Sequence, residues 1–107
     1  MRPLFSITTL AILLMPLAAI AGTDYTVSQK GKKFRPSEIS INVGDSIIFV
    51  NDDKTRHNVY SKSTGLEFKI KKQKPGDRNT ISFDRAGAAE VRCAIHPKMK
   101  LVITISE

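Results

Sequence analysis

Ile39-Ser40-Ile41-Asn42-Val43-Gly44-Asp45-Ser46-Ile47-Ile48-Phe49-Val50 decides the fold class. Ile39, Ile41 and Val43 alternate with Ser40 and Asn42, the period of two that places apolar side chains on one face of a half-buried strand. Gly44-Asp45 supplies the turn. Ile47-Ile48-Phe49-Val50 is apolar on both faces, which predicts a central strand covered from both sides.

The same alternation runs outward in the C-terminal direction. Leu66, Phe68 and Ile70 alternate with Glu67 and Lys69, Ile81 and Phe83 with Ser82 and Asp84, and Leu101, Ile103 and Ile105 close the chain. Lys62-Ser63-Thr64-Gly65, Lys74-Pro75-Gly76-Asp77 and Arg85-Ala86-Gly87 between them are turn segments. Beyond residue 21 no stretch keeps a helical period, and there is no internal repeat, low-complexity tract or linker. About eight short strands with frequent turns predict one all-β domain, an antiparallel sandwich or barrel.

The chemistry is concentrated in Cys93-Ala94-Ile95-His96-Pro97-Lys98-Met99. Val91 and Cys93 share a strand face opposite Glu90 and Arg92, so Cys93 is expected to end its strand pointing inward. Pro97 reverses the chain, and His96 and Met99 can turn back toward the same point. His57, the other of two histidines in a chain with one cysteine, follows the polar turn Asn51-Asp52-Asp53. Thiolate and thioether are soft donors and imidazole is borderline, a set that suits copper in both oxidation states. Two imidazoles and a thiolate with a weak axial thioether is the electron-transfer form of such a site.

Each of these residues also has other readings. A lone buried cysteine is often only a small apolar residue, and Met99 alone would be core filler. Zinc accepts Cys93, His57 and His96, but methionine is a poor zinc ligand and structural zinc sites carry more thiolates. Cys-x-x-Cys-His is absent, which excludes a c-type haem. A Cys93–His96 nucleophilic dyad lacks an evident orienting carboxylate or oxyanion hole.

The N-terminus reads as a secretory leader: Met1-Arg2, an apolar run through Leu10-Ala11-Ile12-Leu13-Leu14-Met15, and Ala19-Ile20-Ala21 as the cleavage pattern. Residues 1–21 are then a signal peptide and residues 22–107 the functional domain, with an uncleaved N-terminal anchor as the alternative. The apolar run is short for a membrane span of roughly 20 residues. A domain this small leaves a thin stability margin, and one cysteine offers no disulfide. Metal ligation would both occupy an exported thiol and stabilise the folded state by mass action. The formal charge of +7 favours an acidic partner surface, and export argues against nucleic acid as that partner. Lys71-Lys72-Gln73-Lys74 reads as a solvated loop.

These motifs resemble the cupredoxins, the type I blue-copper proteins, and most of all the plastocyanin, amicyanin and pseudoazurin group. The resemblance rests on Cys93-x-x-His96-x-x-Met99, on Phe34-Arg35-Pro36, on Ile39 to Asp45, and on Phe49-Val50-Asn51-Asp52 with His57-Asn58-Val59. It spans residues 22–107 and implies a Greek-key β-sandwich of about eight strands. It further implies one type I copper ion with His57, Cys93 and His96 equatorial and Met99 axial. Asn58 would support the Cys93 sulfur and its loop, and His96 would be the edge through which electrons pass. Two positions differ from the common family pattern: Val91 stands where an aromatic residue is frequent, and Leu101 where glycine often follows the methionine. Arg92, Lys98, Lys100 and Arg56 would rim the copper edge. The function implied is a monomeric periplasmic carrier of single electrons between redox proteins with acidic docking surfaces, without enzymatic activity, nucleic acid or membrane insertion after cleavage. A copper-delivery protein of the same fold is the alternative.

Overall fold

The computed structural model describes residues 2–4, 6, 8, 10–11 and 22–107. The signal-peptide segment expected over residues 1–21 therefore lies mostly outside the described residues. Among the described residues no helix is long and apolar enough to cross a membrane.

Nine strands form two sheets: β1 (Asp24–Gln29), β2 (Phe34–Arg35), β3 (Glu38–Asn42), β4 (Ser46–Asn51), β5 (His57–Ser61), β6 (Phe68–Gln73), β7 (Arg78–Ser82), β8 (Gly87–Arg92) and β9 (Lys100–Ser106). One sheet has the order β2-β1-β4-β7, the other β3-β9-β8-β5-β6. Their facing sides enclose a core of Val27, Ile47, Phe49, Val59, Val91, Leu101 and Ile103, all fully buried. Val91 and Leu101, the two positions that depart from the family pattern, are thus core residues. The alternation read from β3 and β9 specifies the buried face in each: Ile41, and Leu101, Ile103 and Ile105, point inward; β4, read as central, lies between β1 and β7.

The structure corrects three sequence expectations, on strand direction, on Val43 and on Lys71-Lys72-Gln73. The sheets are mixed and not antiparallel throughout: β1 pairs with β4, and β3 with β9, in parallel. Alternation fixes which face a strand buries but carries no information on its direction. The chain crosses to the other sheet for β3 between β1 and β4, and a strand returning from such a crossing can run alongside its predecessor. Two-residue β2 is an extra strand, too short to alternate, though Phe34 in it is buried. Val43 falls just past β3 and is exposed.

Finally, Lys71-Lys72-Gln73 belongs to β6 and not to a loop. The register explains why it does not alternate. His57 lies opposite Gln73 while Val59 lies opposite Ile70, so β6 carries one residue more than β5 over this stretch. Such a bulge interrupts the inward-outward order. Lys71 and Lys72 are consequently both exposed, and Gln73 returns to the interior fully buried.

Candidate metal centre

His57 opens β5, Cys93 follows the last residue of β8, and the loop 94–99 leads into β9. β5, β8 and β9 are consecutive in the five-stranded sheet, so the proposed donors emerge at one end of that sheet. Ala89, Val91 and Cys93 are buried and alternate with exposed Glu90 and half-buried Arg92, so the strand delivers the thiol inward as its pattern predicts. Two backbone bonds then wind the loop tightly: His96 N donates to Cys93 O (3.3 Å) and Met99 N to His96 O (2.9 Å). Met99 is 1% exposed and joins Cys93 in the core cluster.

Three donor atoms converge. His57 Nδ1 is 3.6 Å and His96 Nδ1 3.7 Å from Cys93 Sγ, and the two Nδ1 atoms are 3.0 Å apart. An ion about 2.0 Å from two nitrogens and about 2.3 Å from a sulfur requires donor separations of roughly 3.3–3.7 Å. The two nitrogen–sulfur distances lie in that window, and the imidazole pair, at 3.0 Å, is closer than it. His57, Cys93 and His96 also form the described chain's metal-capable cluster of histidine, cysteine and acidic side chains. With Met99 buried beside Cys93, the four residues are positioned as a type I copper site, and the soft-donor composition fits that ion.

The histidine environments differ. His57 is fully buried, and its Nε2 is 2.7 Å from Asp53 Oδ2. A carboxylate there accepts the Nε2 proton, which leaves the Nδ1 lone pair directed at the other donors. Asp53 is itself held by Gly31 N at 2.7 Å and Lys32 N at 3.0 Å. Both residues have positive φ, 61° at Gly31 and 54° at Lys32, and this turn between β1 and β2 aims two successive N–H groups at the carboxylate. Burial raises the Asp53 pKa, but bonds from His57, Lys32 and Gly31 outweigh it and hold the group below the ordinary carboxylate value. His96 is half-buried. Desolvation, then the electrostatic influence of the neighbouring His57 and Lys32, lowers its pKa, so the neutral, metal-binding form is favoured.

Beneath His57 lies a buried amide cluster. Asn51 Nδ2 donates to Thr55 O and Gln73 O, both at 2.9 Å, and Asn51 Oδ1 accepts from Asp53 N at 3.0 Å. Gln73 Nε2 donates to Phe49 O (2.9 Å) and Asn79 Oδ1 (3.0 Å), and Gln73 Oε1 accepts from Gln29. Gln29, Asn51 and Gln73 are fully buried. The cluster joins β1 and β4 of one sheet to β6 of the other immediately behind the turn that presents His57.

Of the four residues expected from the sequence, His57, Cys93 and His96 come to one place, and Met99 is buried in the same core cluster as Cys93. The expected support from Asn58 is present for the loop: its Oδ1 accepts from Ala94 N at 2.6 Å. Sequence reading missed Asp53, Gln73 and Gln29. An acidic residue within one turn of a ligand histidine was the available signal for Asp53, because metal-bound imidazoles usually donate their second N–H to a carboxylate or carbonyl. No comparable signal marks the glutamines. On the expected rim, Arg92 pairs with Glu90 at 2.6 Å and donates to Pro97 O at 3.2 Å. Arg92, with Lys100 adding to it, holds the Glu90 carboxyl below its usual range.

The comparisons agree with this geometry. No curated protein matches the sequence. Among solved structures, the copper-containing nitrite reductase of Thermus scotoductus SA-01 superposes with TM-score 0.74 at 30% identity over 78% of this chain. The chain spans only 22% of that reductase's length. The purple cupredoxin of Nitrosopumilus maritimus gives TM-score 0.69 at 24% identity, over 78% of this chain and all of that one. A reduced amicyanin variant gives 0.73 at 24% identity, over 83% of this chain and 88% of its own. The last two identities establish the shared fold. The family model of copper-binding proteins of the plastocyanin/azurin family matches residues 21–106, so the chain belongs to that family.

Proposed function

We propose that this protein is an exported type I copper protein that carries single electrons between redox partners, with His57, Cys93, His96 and Met99 as ligands. The convergence of Cys93 Sγ with two imidazole nitrogens at 3.6 and 3.7 Å carries the reading. Copper bound there supplies a Cu(I)/Cu(II) couple. The chain's own contribution is to hold the donors in place before the ion binds. Asp53 fixes the proton on His57 Nε2, Asn58 pins the loop after Cys93, and burial of the thiol shields it from oxidants. Donors held this way move little when the site changes charge. Half-buried His96 is the edge through which an electron reaches solvent-side partners.

A non-enzymatic role follows from the same burial. Cys93 and Met99 are each 1% exposed, which leaves substrate no route to either sulfur and disfavours ligand exchange of the kind copper delivery needs. The resemblance to a reductase is confined to 22% of that chain. Export to the periplasm, with residues 1–21 removed, rests on the leader pattern of the sequence, and N-terminal sequencing of the protein from its compartment tests it.

Loading with Cu(II) should give the intense visible charge-transfer band of a copper–thiolate bond. A colourless complex, or copper transfer to an acceptor with sluggish electron exchange, would overturn the carrier reading. Met99→Gln should retain copper and lower its potential, because a harder oxygen donor favours Cu(II); voltammetry reads the shift.

A further inference from the structure

A groove of about 640 Å³ opens beside His57 and His96. Lys54, Arg56, Lys71 and Lys72 line it together with Ile95, and no acidic side chain does. All four cationic residues are exposed, and Ile95 is 53% exposed. The ion pairs among the described residues are His57–Asp53 and Arg92–Glu90, so none of these four charges is spent internally. The β6 bulge opposite His57 is what brings Lys71 and Lys72 to the groove wall together, where a regular strand would turn one of them inward.

The other flank of the metal edge is different. Arg92 is tied to Glu90, and Lys100 stands opposite Arg92 in the β8–β9 register. That rim presents one compensated cation and two exposed lysines, Lys98 and Lys100, whereas the groove gathers four unpaired cations in one concavity around an apolar residue and a half-buried ligand. A low-dielectric concave wall lined by one sign of charge focuses the field and raises the encounter rate of the opposite sign.

We propose that the groove formed by Lys54, Arg56, Lys71 and Lys72 is the docking face for an acidic redox protein, which sets its carboxylates against these four cations and exchanges its electron at His96. The inference rests on the electron-carrier reading and places the partner on the β5–β6 flank, away from Lys98 and Lys100. Ile95 supplies the apolar contact and the cations supply orientation, the division of labour in which charge sets on-rate and specificity.

Reduced plant-type [2Fe–2S] ferredoxin, a small acidic one-electron donor, is the probe. One electron passes from its cluster to Cu(II), and loss of the blue band follows the reaction in stopped flow. Lys71→Glu/Lys72→Glu and Lys98→Glu/Lys100→Glu change the net charge equally. At low ionic strength the first pair should slow the bimolecular rate about tenfold or more and the second less than about threefold. Amide chemical shifts of the metal-free protein titrated with oxidised ferredoxin should move most at residues 54–56, 71–72 and 95. Should the first pair fail to fold, Lys54→Glu/Arg56→Glu tests the same face. Equal slowing by both pairs, or shifts centred on residues 98–100, would overturn the assignment. Absence of the blue band in the unmutated protein would instead remove the carrier reading and leave the shift map to decide the binding face.

Discussion

The Cys93–Met99 loop and the Asn51–His57 turn bring ligands to the same point by opposite means. The loop carries three donors in seven residues and organises itself through two short backbone bonds. The turn carries one donor and depends on outside support: the Asp53 carboxylate, the β1–β2 turn behind it, and the amide cluster of Asn51, Gln73 and Gln29. Closely spaced ligands need little from the rest of the fold. A ligand delivered from 36 residues away needs a scaffold that fixes its position independently of the metal. The polar layer under His57 is that scaffold, and it sits in an interior otherwise closed by aliphatic and aromatic side chains.

Substitutions on the two sides should separate accordingly. Cys93→Ala removes the thiolate and should abolish the visible copper band altogether, which absorption of the Cu(II)-loaded variant checks. Asn51→Ala strips the carbonyls of Thr55 and buried Gln73 of this donor and Asp53 N of its acceptor, at a cost of about 2–3 kcal/mol. Denaturant unfolding of the metal-free protein measures this, and a loss below about 0.5 kcal/mol, the level of an ordinary surface change, would show that the turn is self-supporting like the loop. Asp53→Ala should weaken copper binding by about 10–100-fold in a chelator competition, while Asp53→Asn, which keeps an acceptor oxygen for His57 Nε2–H, should lose less. Smallest is Asn58→Ala: it frees Ala94 N on the exposed side of the loop, and about 1 kcal/mol of stability should go with it, the blue band remaining.

The same contrast explains what could be read from the sequence. Spacing identified the loop because its residues are neighbours in the chain, and alternation identified the buried faces of β3, β8 and β9. Pairing partners did not follow, because alternation is blind to direction, and β1–β4 and β3–β9 are parallel. Lys71 and Lys72 read as loop because a bulge breaks the period that marks a strand. Gln29 and Gln73 were invisible for a different reason. Amides are usually solvated, and only the assembled sandwich shows that each is buried against the other. Asp53 lay in plain view as part of a polar turn, but its role depends on a second turn twenty residues earlier that no local pattern links to it.

The parallel register of β1 on β4 also settles how the molecule faces outward. Asp24 pairs with Ser46 and Gln29 with Asn51, so β1 begins at the pole remote from His57 and ends beside it, a climb of roughly 17 Å at strand rise. Gly22 and Thr23 rest against Gly44 and Asp45 at that remote pole, and Gly22 approaches the Gly44 carbonyl too closely for any side chain. Polypeptide arriving from before Gly22 is thus led in at the foot of the two-sheet sandwich, with His96 at its crown. Tethered or free, the molecule would offer the same crown to whatever it meets.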